Sequence, residues 1–248
     1  EAVAVSGRSP REPRVEVDSV DDAAEGELPD LLSTTSAWSI GRYTPALRHW
    51  LEEFAEQARA PARLREHFAS AYHGYLDARR REHENKSRPL GVDEHWAFRR
   101  RSIFMEPYLD LWLLLKGIDP DAVAEQEFAA ARALAVDLVL LANDLASAER
   151  DSAQGASPDD LNLIHSYARQ YQETEAAALE RLVSLHDELA EQYSAARARA
   201  CAARPGPHAE RYADVLSGVV QGNVASVLAL GFRYPGAAQV MRRLRAVR

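Results

Sequence analysis

Long segments rich in Ala, Leu, Arg and Glu dominate this chain of 248 residues, and no extended segment alternates apolar with polar residues. The first property favours helix, whereas a half-buried strand needs an alternation with a period of two residues. With 46% hydrophobic residues, the chain can also bury a full core. The sequence therefore predicts an all-α bundle of consecutive helices joined by short loops.

The first 30 residues differ from the rest in composition. They are polar, acidic and poor in aromatic residues, which is typical of a mobile arm. A single helical domain is predicted over residues 31–248. Within it, the apolar periodicity predicts helices over 44–57, 61–88, 121–152, 160–175, 176–203 and 207–232. A further helix is predicted to begin at Asp93, as its N-cap, and to be interrupted around Glu106–Pro107.

Charge and cysteine content exclude several classes of protein. A net charge of −8 argues against a surface that coats nucleic acid, since such a surface needs an excess of Lys and Arg. The sequence shows no apolar run long enough to span a membrane, and no signal peptide is expected. The single Cys201 excludes an intrachain disulfide framework and fits a reducing compartment. A cytoplasmic protein is the expectation.

The segment LLANDLASAERD, residues 140–151, carries a stripe of oxygen-bearing side chains. Asn143, Ser147 and Asp151 are spaced by four residues, so on a helix they lie at about 0°, 40° and 80° on one face. An apolar stripe precedes them on that face: Val136, Val139 and Leu140. Because amide, hydroxyl and carboxylate oxygens are hard donors, the pattern favours a Mg²⁺ site over a solvated helix face.

Three charged residues flank this stripe. Arg150 falls at about −20° on the same helical face, where its guanidinium could donate to a phosphate oxygen. Asp144 and Glu149 point at least about 100° away from the stripe. They are predicted to be surface charges or outer partners of the metal site.

Together with other segments, this stripe resembles a known family. The order Asn143-Asp144-x-x-Ser147-x-x-x-Asp151 resembles the N-D-x-x-S-x-x-x-E magnesium motif of class I terpene synthases, with Asp in place of the last Glu. EHWAFRRRSIF, which contains Arg100, resembles the family's pyrophosphate-sensor helix, and FASAYHGYLDARRREHENKSR the long helix before it. GNVASVLALGFRY resembles the closing helix that ends in an Arg-Tyr pair. The similarity covers about residues 40–235.

The resemblance implies an α-helical bundle around a central cavity, which ionises a linear isoprenoid diphosphate and cyclises the carbocation. It implies three Mg²⁺ ions, with Mn²⁺ as an alternative, and leaves room for a homodimer. Farnesyl diphosphate is the default substrate, and geranyl or 2-methylgeranyl diphosphate is the alternative. The implied metal ligands are Asn143, Ser147 and Asp151, joined by Asp21 and Asp22. The implied diphosphate-binding residues are Arg100, Arg150, Arg233 and Tyr234.

Aromatic residues of the interrupted helix are candidates for the cavity wall, where their π faces could stabilise positive charge. They are Trp96, Phe98, Phe104, Tyr108 and Trp112. For each of them, plain core packing is the competing interpretation. Only some are expected to line the cavity.

Several positions depart from the family pattern. The aspartate-rich motif has one candidate, DDAAE, with Asp21, Asp22 and Glu25 in a polar segment. Either this motif is degenerate, or the sequence lacks part of the N-terminal half of the bundle. Phe104 stands where a glycine often breaks the helix, and Ser226 where the closing helix often has Trp. These departures keep a second hypothesis open, a degenerate family member that acts as a non-catalytic binding or assembly partner.

Overall fold

Eight α-helices and no β-strand make up the part of the chain that the computed structural model describes, residues 62–84, 89–123, 126–153, 162–231, 234 and 236–247. They are α1 (Ala62–Glu84), α2 (Val92–Ser102), α3 (Met105–Leu115), α4 (Gln126–Ala153), α5 (Leu163–Tyr171), α6 (Glu175–Ala203), α7 (Pro207–Ala229) and α8 (Ala237–Met241), with a 3-10 turn at Pro120–Val123. The predicted all-α class is confirmed. The predicted arm over residues 1–30 and helix over 44–57 lie outside the described residues. None of the described helices is long and apolar enough to cross a lipid bilayer.

Local capping explains where several helices begin. The side-chain oxygen of Asn162 accepts a hydrogen bond from the backbone N–H of Ile164 at 3.0 Å and so caps α5. Thr174 caps α6 in the same way. Pro207 begins α7, where its missing N–H leaves no helical bond unmade. The helices predicted within the described residues appear in the predicted order, with most of their ends displaced by a few residues.

The break in the helix after Asp93 exists, but it lies before the predicted Glu106–Pro107. α2 ends at Ser102, Phe104 adopts a left-handed φ of 61°, and α3 begins at Met105. Pro107 consequently falls in the first turn of α3, where a proline is tolerated. Asp93 is not the N-cap of α2 either, because it lies in the first turn and Gly91 holds the cap position.

We expect glycine to be tolerated better than alanine at position 104. The left-handed conformation costs a residue other than glycine about 1 kcal/mol. The Phe104 ring offsets this through edge contacts with Tyr72 and Tyr75, at centroid distances of 5.8 and 4.9 Å. Phe104→Gly and Phe104→Ala both remove these contacts, but only glycine relieves the backbone. In urea unfolding, the glycine variant should be more stable than the alanine variant by about 1 kcal/mol. A more stable alanine variant, the usual order inside a helix, would contradict this reading.

The core is built around α4, which packs along α6 and α7. Its middle is fully buried: Val136, Leu138, Val139, Leu140, Leu141 and Ala142. Near the start of α4 the ring of Phe128 lies 5.4 Å from that of Tyr212, near the start of α7. Near the end of α4 the carboxylate of Glu149 lies against Gly236, just beyond α7. The two helices therefore run in the same direction, and residues equally far along them lie at similar heights.

Candidate active site

The first two residues of the predicted oxygen stripe lie one turn apart on α4. Ser147 is buried, with 5% of its surface exposed, and Asn143 is half-buried. Each side-chain oxygen accepts one hydrogen bond: Arg99 Nη2 donates to Asn143 Oδ1 at 3.2 Å, and Asn162 Nδ2 donates to Ser147 Oγ at 3.3 Å. An amide or hydroxyl oxygen has two lone pairs, so each retains one for a cation.

These atoms fit the Mg²⁺ ions that the family resemblance implies. Both are hard oxygen donors, the class of ligand that Mg²⁺ prefers. Among the described residues, no group of three or more His, Cys, Asp or Glu side chains could hold a metal ion by itself. The described donors at this end of α4 are therefore the amide oxygen of Asn143 and the hydroxyl oxygen of Ser147.

Asp144 corrects one part of the sequence analysis. It is 1% exposed, so the prediction of a surface charge is wrong, whereas a partner behind the stripe matches its position. Its Oδ1 accepts hydrogen bonds from Arg99 Nη2 at 2.6 Å and Nε at 3.1 Å. Its Oδ2 accepts one from the backbone N–H of Leu163 at 3.1 Å. Asp144 therefore joins α2, α4 and the start of α5 directly beside Asn143.

Arg100, the predicted diphosphate sensor, is paired with a buried carboxylate. Its Nε and Nη2 each donate to Asp137 at 2.6 Å, and Trp96 Nε1 donates to the same carboxylate at 2.8 Å. These bonds raise the pKa of Arg100 above its usual value and keep it charged. About half of the Arg100 side chain stays exposed, while Asp137 is 5% exposed. Asp137 thus anchors one edge of a guanidinium whose Nη1 is not used in the pair.

A cavity of about 700 Å³ lies between α3, α4 and α7. Its lining includes Tyr108, Trp112, Val139, Val215, Val219 and Asn223. Of the five predicted aromatic residues, Tyr108 and Trp112 line this cavity. Trp96 instead donates to Asp137, and Phe104 packs on α1. The cavity wall is mostly apolar, and its volume is in the usual range of a small-molecule pocket.

Two buried N–H donors in this wall have no hydrogen-bond partner, Trp112 Nε1 and Asn223 Nδ2. Arg132 of α4 donates a hydrogen bond to the hydroxyl of Tyr212 of α7, so these two residues lie at similar heights along the two parallel helices. Asn143 comes eleven residues after Arg132, and Asn223 comes eleven residues after Tyr212, which is about 16 Å along each helix. Asn223 therefore lies near the height of the oxygen stripe. The cavity therefore extends from the height of the oxygen stripe down between the two helices.

Comparison with known proteins gives the family. The profile of "Terpene synthase family 2, C-terminal metal binding" matches residues 11–192. The chain belongs to this family. A curated relative, the Delta(6)-protoilludene synthase of Hypholoma sublateritium, is 27% identical over 168 residues, which are 66% of this chain and 49% of that protein. The chain thus spans about half the length of the curated relative that it matches.

Solved structures share the fold of this terpene synthase family member. Linalool/nerolidol synthase from Streptomyces clavuligerus, in complex with 2-fluorogeranyl diphosphate, matches with a TM-score of 0.69 and 22% identity over 81% of this chain and 71% of that one. 2-Methylisoborneol synthase from Streptomyces coelicolor A3(2), in complex with Mg²⁺ and geranyl-S-thiolodiphosphate, matches with a TM-score of 0.65 and 23% identity over 80% and 66%. The fold is the α-helical fold of class I terpenoid synthases.

The remaining predicted site residues of this family member are described only in part. Tyr234 is half-buried and packs against the core. Arg233, Asp21, Asp22 and the side chains of Arg150 and Asp151 lie outside the described residues.

The end of the cavity away from the oxygen stripe is charged. Lys116 Nζ lies 5.3 Å from the centroid of the Trp112 ring, and Arg211 donates to the backbone oxygen of Lys116 at 3.3 Å. Asp214 lines the cavity beside them.

Arg99, Asp137 and Asn223 are the residues that sequence reasoning missed. Asn223 had a signal, since it lies in the segment that resembles the closing helix.

Proposed function

We propose that this protein is a Mg²⁺-dependent class I terpene synthase. The observation that carries the proposal is that Val139, which lies one turn before the hard oxygen donors Asn143 and Ser147 on α4, lines a mostly apolar cavity of about 700 Å³. The substrate would be a linear isoprenoid diphosphate. Its allylic C–O bond breaks, the electron pair leaves with the diphosphate, and a carbon–carbon double bond then attacks the cation to close a ring. The positive charge moves to a ring carbon, and loss of a proton from a neighbouring carbon to a base, such as the released diphosphate, gives a neutral product.

In this proposal the polar end of the site binds the leaving group. Asn143, Ser147 and Asp151 would hold Mg²⁺, in concert with Asp21 and Asp22. Bound Mg²⁺, for which Mn²⁺ could substitute, neutralises charge on the departing diphosphate, and three ions are proposed. Further donors to the diphosphate oxygens would come from the basic and aromatic residues of the family pattern: Arg100, Arg150, Arg233 and Tyr234.

The apolar end of the site would hold the hydrocarbon. Val139, Val215 and Val219 exclude water that would quench a carbocation, and the rings of Tyr108 and Trp112 offer π faces. Lys116 lies over the Trp112 ring, so Tyr108 is the better placed of the two to stabilise positive charge. Farnesyl diphosphate is the proposed substrate, with geranyl or 2-methylgeranyl diphosphate as the alternative.

Turnover should require Mg²⁺ or Mn²⁺ and disappear in excess EDTA, because both described donors of the stripe are hard oxygens and no soft ligand is present in it. The measurement is incubation of the purified protein with C10, C15 and C20 diphosphates, followed by analysis of volatile products and released diphosphate. Full activity in EDTA would contradict the metal-dependent mechanism. Binding of Mg²⁺ and diphosphate without turnover would favour the degenerate binding partner.

Gly218 should control which chain length fits. Gly218 and Gly222 both line the cavity, and a methyl group at either position would meet no heavy atom within 4 Å. The Cβ of a leucine at position 218 therefore has room, its remaining side-chain atoms should take up cavity space, and the substitution should raise helix propensity by about 1 kcal/mol. We expect kcat/KM for the C15 diphosphate to fall at least tenfold relative to the C10 diphosphate.

The matched control for this substitution is Gly74→Leu. Gly74 lies within α1, also has open space at its Cβ, and does not line the cavity. Both leucine variants should keep or raise the melting temperature, and only Gly218→Leu should change chain-length selectivity. An unchanged ratio of C15 to C10 turnover in Gly218→Leu would show that this face of α7 does not contact the hydrocarbon.

A further inference from the structure

We propose that Arg99 is a positioning residue that turns the amide oxygen of Asn143 toward the metal, and that Asp144 cancels the charge Arg99 brings. This inference rests on the proposed metal site. Arg99 lies in the segment that resembles the sensor helix, but the resemblance assigns a role there to Arg100 alone. The Arg99 side chain is 11% exposed and reaches from α2 to α4. A single guanidinium contacts both Asn143 and Asp144, at the start of the oxygen stripe.

The contact with Asn143 selects one orientation of its amide. An amide has an oxygen face, which can bind Mg²⁺, and an NH₂ face, which cannot. The guanidinium of Arg99 carries only donors, so only the oxygen of Asn143 can face it favourably. Arg99 therefore holds Oδ1 on the side from which its second lone pair can reach a cation, before any cation arrives.

A positive charge 3.2 Å from a metal-binding oxygen would by itself repel the metal. Asp144 removes this repulsion, because its buried carboxylate lies 2.6 Å from Arg99 Nη2. The N–H of Leu163 fixes the other carboxylate oxygen at 3.1 Å, so the pair cannot easily separate. Arg99 therefore orients the amide of Asn143, and Asp144 keeps the net charge beside the metal small.

Asn162 supports the second ligand in the same way. Its Nδ2 donates to the backbone oxygen of Asp144 at 2.9 Å and to Ser147 Oγ at 3.3 Å. Because Asn162 also caps α5, the start of that helix is tied to Ser147. Residues from α2 and from the start of α5 thus orient the two described ligands of α4, which is a preorganised arrangement.

The test is isothermal titration calorimetry, in which MgCl₂ is titrated into the protein in the presence of inorganic diphosphate. This probe needs neither a prenyl chain nor turnover. Arg99→Lys keeps the charge but cannot span Asn143 and Asp144 together, so the apparent affinity should fall at least tenfold. Asp144→Asn removes the carboxylate that accepts from Arg99 Nε and Nη2, which makes the surroundings of the metal more positive and should weaken binding further. The double variant Arg99→Met/Asp144→Asn removes the guanidinium charge and should bind more tightly than Asp144→Asn alone.

The matched control is Arg132→Lys, which alters another buried Arg–Asp pair of α4, about 16 Å from the stripe. It should lower the melting temperature to a similar extent as Arg99→Lys and leave the affinity within twofold of wild type. If Arg99→Lys also stays within twofold, or the double variant binds no better than Asp144→Asn, Arg99 is only structural and the inference fails. Wild-type protein that binds Mg²⁺ and diphosphate without turnover would overturn the proposed reaction alone, whereas an absence of wild-type binding would overturn both.

Discussion

Replacing Arg132 with leucine is expected to lower the free energy of unfolding by about 3–5 kcal/mol. The Arg132 side chain is 14% exposed and donates to Glu106 Oε2 at 2.6 Å, Asp110 Oδ1 at 2.8 Å and the Tyr212 hydroxyl at 3.1 Å. Asp110 is 1% exposed, so leucine would leave it buried without its strongest partner. Since these contacts join α3, α4 and α7, the loss would loosen the three walls of the cavity. Urea unfolding followed by circular dichroism measures the effect.

The loss should depend on pH, because His67 also reaches Asp110. His67 Nδ1 lies 2.7 Å from Asp110 Oδ2, and this hydrogen bond raises the pKa of His67 above its usual 6.5. A raised pKa in the folded state contributes stability that is present below pH 6.5 and is lost as the pH rises through the folded-state pKa. In Arg132→Leu, protonated His67 remains the only described cation on Asp110. The variant should therefore be less impaired at about pH 6 than at about pH 8.

Arg243→Leu is the matched control for this experiment. Arg243 forms an exposed ion pair with Glu180, with 39% and 61% of the two side chains accessible. Such a pair contributes between about 0 and 1 kcal/mol. If Arg132→Leu were no more destabilising than Arg243→Leu, the Arg132 network would not be holding the cavity walls together.

The order of the helices was predictable because helix propensity, apolar periodicity and turn residues all act locally. The position of the break was not. Pro107 looks like the natural interruption, but a proline fits the first turn of a helix. The break instead uses Phe104 in a conformation that the sequence disfavours, and it is held there by rings from α1. Only the tertiary contacts with Tyr72 and Tyr75 reveal that.

The same limit applies to the site. The stripe of Asn143 and Ser147 was predictable because residues four apart share a helix face wherever the helix lies. The environment of Asp144 was not predictable. A residue about 100° away from the stripe faces solvent if the helix lies at the surface, but it faces α2 and α5 if the helix is central, as α4 is. Arg99 and Asp137 were missed for the same reason, because their partners lie on other helices.

Arg100→Ala is expected to reduce turnover at least tenfold if Arg100 contacts the diphosphate. A charge-assisted hydrogen bond to the leaving group is worth about 1.5–3 kcal/mol in the transition state. In the structure Asp137 binds Nε and Nη2 of Arg100, which orients Nη1 and leaves it available to donate. We expect kcat to fall, and we expect inorganic diphosphate to inhibit the variant more weakly as a product. Steady-state assays over a range of prenyl diphosphate concentrations measure both.

Arg101→Ala separates this effect from a general loss of positive charge, because Arg101 is the exposed neighbour of Arg100 and was assigned no role in the sequence pattern. Arg100→Ala should also lower the stability of the protein. Removing Arg100 leaves the buried Asp137 with Trp96 as its remaining described donor, so the melting temperature should fall as well. Asp137→Asn tests the anchoring directly, since it keeps Arg100 but weakens its orientation, and it should lower kcat less than Arg100→Ala does. Wild-type kinetics in Arg100→Ala would show that the diphosphate is bound elsewhere and that the Arg100–Asp137 pair serves only to join α2 to α4.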